Sequence, residues 1–271
     1  MNSGVARGRA RVGLLAVAVF VLADVAALAA LVAGPLYAEQ ALALRQAFAV
    51  LRWAFYGAAA AGILALLLFA ARRLFGWEMS MGMLLAAFVV ALATVVALFG
   101  LYRTARSVPP IHDVTTDLDN PPSFSALAPR AGESEPVVPA GGRADLKSLS
   151  AIERWRVYHK EAYGDLKPLI LSGSVEGVTR LAERVARHMG WKVALVDPAA
   201  GRLEATATTP WFRFKDDVAV RITPLVDEPG KVRVDVRSVS RIGISDLGAN
   251  AKRIRTFLRA LSSAEQSKRE G

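Results

Sequence analysis

The sequence predicts an α+β protein in two parts: three N-terminal transmembrane helices, then a small domain in which helices pack on an antiparallel four-stranded meander. Three observations carry this. Three long apolar runs crowd residues 1–106. Charge is segregated, with 9 Lys+Arg and 3 Asp+Glu in residues 1–106 and the other 25 and 21 in residues 107–271. Four strand-like runs then follow one another between two periodic helices.

The apolar runs are Val12–Ala33, Trp53–Ala71 and Met79–Tyr102. Each approaches or exceeds the ~18–20 residues a helix needs to cross the hydrocarbon layer. Gly34-Pro35 closes the first and Arg72-Arg73 the second, and Trp53, Tyr56, Trp77 and Tyr102 sit near span ends, where amphipathic rings favour the headgroup zone. The first run is longer than a signal-peptide core and carries Asp24 in its middle, which argues for a retained span. An isolated charge there costs at least ~2.5–3.5 kcal/mol, so Asp24 is expected to face another helix or to be protonated, not to face lipid, with Thr94 of the third span as one partner.

Arg7, Arg9, Arg11, Arg72 and Arg73 share one side of the membrane; Arg45, Arg52, Arg103 and Arg106 share the other. The excess is small and places the N-terminus in the cytoplasm, with the domain periplasmic or otherwise extracytoplasmic and the protein multi-pass in the inner (plasma) membrane. The chain has no cysteine, which excludes disulfides, zinc–thiolate sites and a cysteine nucleophile and fits an oxidising compartment.

Beyond the spans, residues 107–262 read as the domain. Val108-Pro109-Pro110 makes a stiff exit and Ile111–Thr116 a short strand. Residues 125–142, rich in Ala, Pro, Gly, Ser and Glu, read as a flexible loop. A helix is expected over Ile152–Ala162 and a stronger one over Ser174–Met189, where Val175, Val178, Leu181, Ala182, Val185 and Met189 form one stripe, Ser174 suits the N-cap and Gly190 the left-handed stop. Strands follow at Lys192–Val196, Leu203–Thr209, Val218–Pro224 and Lys231–Val239, and a last helix at Asp246–Ser262, with a polar tail, 263–271, expected to fray.

Alternation sets a register. Val232, Val234 and Val236 share one face of their strand, and Val218, Val220 and Ile222 one face of its neighbour. A three-residue loop, Asp227–Pro229, brings these faces together and puts Arg221 opposite Asp235.

Four stretches carry a resemblance: Pro109–Asp117 (PPIHDVTTD), Tyr163–Leu169 (YGDLKPL), Phe212–Arg221 (FRFKDDVAVR) and Val236–Ile254 (VRSVSRIGISDLGANAKRI). Together they resemble the family called domain of unknown function 1499, as a membrane-anchored member, over roughly residues 108–262. Gly164 stands where the family motif carries proline. The resemblance implies a bacterial envelope or chloroplast-type protein, often with membrane helices ahead of the domain, and implies no activity.

The turn Arg237–Arg253 is the leading site. Gly243–Gly248 is one residue too long for a nucleophile elbow, and His112, His159 and His188 all precede it, which breaks the Ser–acid–His order. The structural expectation is that Ser245 or Asp246 caps the last helix and that Arg241, Asp246 and Asn250 form one polar network. The binding expectation is an anion or headgroup site made by Arg237, Arg241, Ser245, Asn250 and Arg253. His112, Asp113, Asp117 and Asp119 are acidic enough for a hard cation but lack the glycine and distal glutamate of a calcium loop, so no metal or cofactor is expected. Asp216 and Asp217, adjacent on a strand, point to opposite faces and do not form a paired-carboxylate site. Trp211, Phe212 and Phe214 read as core or membrane-facing.

Six of the ten units of net positive charge come from residues 1–106, where arginines flank spans, so nucleic acid is excluded as a partner. Arg103 and Arg106 are placed to meet anionic lipid. The function expected is a non-catalytic binding or scaffolding module for an envelope protein, a lipid or a small ligand; the alternative is a hydrolase or lipid-modifying enzyme.

Overall fold

The computed structural model describes residues 2–130 and 138–270, with side chains described from 13 to 130 and from 138 to 267. The chain divides into two units: residues 1–104 with Pro210–Arg213, and residues 105–209 with 214–271.

The first unit holds three helices, α1 (Asn2–Ala38), α2 (Leu44–Phe75) and α3 (Met81–Ser107), the last crossing into the second unit at its final turn. All three are long and apolar enough to cross a membrane. They meet along small residues: Ala16, Ala23, Ala26, Ala30 and Ala33 on α1, Ala47, Ala54, Ala58, Ala61 and Ala65 on α2, and Ala87 and Ala91 on α3 are buried at three-, four- and seven-residue steps. Lipid tails are as apolar as leucine, so close backbone approach, not burial of large side chains, holds such helices together. Asp24 is half-buried on α1. The expected pairing with Thr94 is not made: Thr94 donates its hydroxyl to Val90 O of its own helix (2.9 Å), the usual fate of a helical threonine.

Gly34-Pro35 does not end α1, which runs one turn further. Proline lacks the N–H that would bond the carbonyl four residues earlier, here Leu31. In this unit Trp211 Nε1 donates to that carbonyl at 3.0 Å. Gly34 makes room for it, since a Cβ there would lie 2.6 Å from the indole. Phe212 is buried against the rings of Tyr37 and Phe48.

The second unit is a sheet covered by helices. Its strands are β1 (Asp113–Thr115), β2 (Leu169–Ser172), β3 (Lys192–Asp197), β4 (Arg202–Thr208), β5 (Lys215–Pro224) and β6 (Lys231–Ser240). All pairings are antiparallel, and the sheet has six strands rather than only the four-stranded meander expected. The expected meander β3–β6 is present. β1, within the short strand expected at Ile111–Thr116, and β2, where no strand was expected, both add to β6, one beside each half. Four residues between Pro168 and Gly173 show too little alternation for β2 to be read from sequence. Arg221 does stand opposite Asp235, although the connection is longer than three residues.

Helices α4 (Ala151–Tyr163), α5 (Val175–His188) and α6 (Ala249–Glu270) complete the unit. Ser150 and Glu153 cap α4 reciprocally, and Ser174 caps α5 by accepting from Gly177 N. Val178, Leu181, Ala182 and Val185 of α5 and Ile254, Phe257 and Leu261 of α6 pack on Leu203, Ala205, Val218, Val220, Ile222, Val232, Val234 and Val236. β5 begins at Lys215, three residues before the expected Val218, and both ends of α6 differ from expectation. α6 begins at Ala249 rather than Asp246, because Leu247 (φ 54°) and Gly248 (φ 79°) are left-handed and reverse the chain first. It also runs through the expected tail, since Ala264 packs on the core and Glu265 is buried, continuing the stripe of Leu261.

The stretch 125–142 carries no helix or strand among its described residues, and part of it falls in 131–137, outside them. It is fastened on both sides of that gap: residues 125–130 bond to the sheet, and Val138 O accepts from Arg154 Nε at 2.8 Å.

Trp211→Phe should lower the melting temperature of the full-length protein in detergent, by a loss of about 1 kcal/mol for one hydrogen bond. Pro35→Ala restores the backbone donor, so the same Trp211→Phe change in that background should cost measurably less.

Candidate functional site

The site is built on β6. Its even-numbered residues, Val232 to Ser240, face the helices; its odd-numbered ones, Arg233, Asp235, Arg237 and Val239, face the other way, with Arg241 following. The outer face therefore receives a ladder of charge. The segment 117–130 crosses over it: Asn120 O accepts from Arg221 (2.9 Å), Pro122 O from Arg237 (3.4 Å), and Arg237 lies over the Phe124 ring. Covered in this way, Asp113, Glu204, Asp217 and Asp235 are almost wholly buried.

Each buried acid has partners. Asp113 forms a two-pronged pair with Arg237 (Nε–Oδ1 3.0 Å, Nη2–Oδ2 2.6 Å). Burial works against the Arg237 charge, but the bond and field of Asp113 outweigh it and hold its pKa above the ordinary value. Asp217 takes two bonds from Arg241, both 2.9 Å, and one from Thr206 Oγ1 at 2.7 Å. Asp235 and Asp117 share Arg221 and Arg233 at 2.9–3.2 Å, two carboxylates and two guanidiniums in one cluster. Glu204 accepts from Ser125 N and Oγ (both 2.7 Å), Ala126 N (3.0 Å) and Leu127 N (2.9 Å). Burial pushes its pKa up, but these four donors outweigh that and hold it below the usual glutamate range.

The helix side carries a second network. Arg253 donates to buried Asp216 (2.5 Å) and to Ser238 Oγ (3.0 Å), and it also bonds to Asn250 Oδ1. Asn250 is fully buried; it accepts from Ser238 Oγ (2.7 Å) and donates to His112 O (2.9 Å) and Ser240 Oγ (3.0 Å). Asp246 receives Gly248 N (2.9 Å) and Asn250 N (2.7 Å), and so caps α6 from three residues ahead of it. Burial drives the Asp246 pKa up despite these bonds. Ser245 is not the cap: its hydroxyl donates to Pro109 O and accepts from Leu247 N, both at 3.3 Å.

The expected residues are thus divided. Asp246 and Asn250 are joined, but Arg241 is on the opposite face with Asp217, because 241 shares the parity of the outward residues 237 and 239. Asp216 and Asp217 do point to opposite faces, each to its own arginine. Of the acidic candidates, Asp113 and Asp117 are on the ladder and Asp119 pairs with Arg156 at 2.7 Å. Glu204 and its cradle at 125–127 were not legible, since a lone glutamate in a strand gives no sign of which distant amides it will meet. On the other side of β1, His159 Nε2 accepts from Thr115 N at 3.1 Å, and burial lowers its pKa.

Fold and site define a class: an α+β domain with a cross-braced antiparallel sheet, carried behind three membrane-capable helices. A family model described as a protein of unknown function (DUF1499) matches residues 113–261, more than half of the chain, and the chain belongs to that family. The match runs from the first residue of β1 to Leu261, a fully buried residue of α6. No curated protein matches the chain.

Arg241→Ala leaves Asp217 buried without its charged partner and should destabilise the protein by about 1–3 kcal/mol in denaturant titration, a figure kept low because Arg241 is 37% exposed. The double variant with Asp217→Asn should lose less than the sum of the two single losses. Unchanged stability in Arg241→Ala would remove its structural role.

The depressed pKa of Glu204 contributes stability above the ordinary glutamate value of about 4.3 and loses it as pH falls through the folded value. Melting temperature should therefore fall more steeply on acidification in the native protein than in Glu204→Gln, with the gap between them closing below about pH 4.

Proposed function

We propose that the protein is a non-catalytic, membrane-anchored module whose domain stands outside the cytoplasm and presents a rigid surface to an envelope protein, a lipid or a small ligand. One observation carries this reading. The three arginines of the signature stretch, Arg237, Arg241 and Arg253, are matched one to one by Asp113, Asp217 and Asp216 within the fold. Ion pairs of this kind fix geometry. Ser245, the one hydroxyl in the turn placed like a nucleophile, bonds to backbone atoms, and His159 is braced against β1. The extracytoplasmic placement rests on the arginine count beside the spans, and the inner (plasma) membrane on the three apolar helices.

Purification of the full-length protein from membranes, with lipid and protein analysis of what accompanies it, tests the module reading. A defined co-purifying species with no turnover of ester or phospholipid substrates is the expected result. Turnover abolished by Ser245→Ala would overturn it. For orientation, a phosphatase fused after Gly271 should be active and a fluorescent protein fused there dark; the reverse pattern would put the domain in the cytoplasm.

A further inference from the structure

The turn between β6 and α6 exposes three consecutive residues, Ile242, Gly243 and Ile244, the isoleucines 39% and 52% exposed. The residues around them are fastened to the chain that has just left α3. Ser245 Oγ donates to Pro109 O and Asp246 N to Ile111 O, both at 3.3 Å, and a Cβ on Gly248 would lie 3.4 Å from Val108 Cγ1. Pro109 is two residues past the end of α3, at most about 7 Å of chain. The 27 residues of α3 measure about 40 Å, the thickness of a bilayer including its headgroups. Ser107 therefore lies at headgroup level, and the turn is held beside it whatever orientation the rest of the domain takes.

The surroundings suit a lipid surface. Lys215, whose carbonyl accepts from Arg241 N, and Lys252, in the first turn of α6, are exposed at the same end of the sheet. Two isoleucines flanked by cations have the chemistry of an interfacial wedge: apolar side chains at the acyl boundary and ammonium groups among phosphates. We infer that Ile242 and Ile244 insert into the headgroup–acyl boundary of the bilayer that α3 leaves, making the β6–α6 turn a membrane-docking element. The inference goes beyond the module reading, since it requires no captured ligand.

The absence of cysteine makes the test clean. Ile242→Cys, Ile244→Cys and, as a control, Val226→Cys are introduced singly into the full-length protein, labelled with the polarity-sensitive fluorophore NBD, and reconstituted in phosphatidylcholine–phosphatidylglycerol vesicles. Val226 is 90% exposed at the opposite end of β6, about 30 Å away along the ten-residue strand. Labels at 242 and 244 should emit to the blue and lose most of their intensity when the vesicles carry lipid spin-labelled near the headgroup, while the label at 226 does neither. Water-like emission at 242 and 244 would overturn the inference. A blue shift without quenching by spin-labelled lipid would also overturn it and point to a protein partner, and equal quenching at all three positions would overturn the specific role of this turn. If the labels report lipid while no ligand co-purifies, the docking element stands and the module reading fails alone.

Discussion

A carboxylate on a sheet face that is covered rather than solvated must find a cation or a set of amides, and the rest of this domain is arranged around that requirement. Asp113, Asp217 and Asp235 are buried on the outer face of the sheet, and each meets a guanidinium supplied by β6, by its neighbour β5 or by the residue that follows β6. Glu204, on β4, is met instead by the backbone of the crossing segment. Removing one partner leaves a charge unpaired in a poorly solvated place, so a structure with a different strand register or a displaced segment carries a large penalty. The ladder thereby selects one arrangement, whatever its net contribution to stability.

Strand β6 is where these demands meet. It is paired along one edge by β5 and along the other by β1 and β2, and it sends valines to the helices and charge to the outer face. Asn250 ties the start of α6 back to Ser238, Ser240 and the carbonyl of His112, so the closing helix, β6 and the chain leaving the membrane are joined at one point. Such a network is sensitive to its weakest member, because the environment that strengthens each bond also raises the cost of losing one.

The membrane unit obeys a different rule. Alanine and glycine let the helix backbones approach, and the carbonyl that Pro35 leaves without its helical donor has one in the Trp211 indole. Hydrocarbon offers no substitute donor, so a free carbonyl in or near it requires a protein partner.

By itself the sequence determined the three spans, the α+β class, the four meander strands, α5 with its caps and the pairing of Arg221 with Asp235. These follow from local periodicity: a span needs only length, and a two-residue alternation fixes which side chains share a face. The divergence of Asp216 and Asp217 was legible for the same reason. Tertiary structure alone decided the rest. Arg241 was expected at Asp246 because they are close in sequence; its parity on β6 turned it to Asp217 instead. The cradle of Ser125–Leu127 around Glu204, the addition of β2 to β6, and the reach of α6 past Ser262 all depend on partners more than sixty residues distant or on packing against a core that exists only once the chain has folded. Nothing in a local pattern encodes which buried charge will meet which distant donor, since that choice is made by desolvation when the segment 117–130 closes over the sheet.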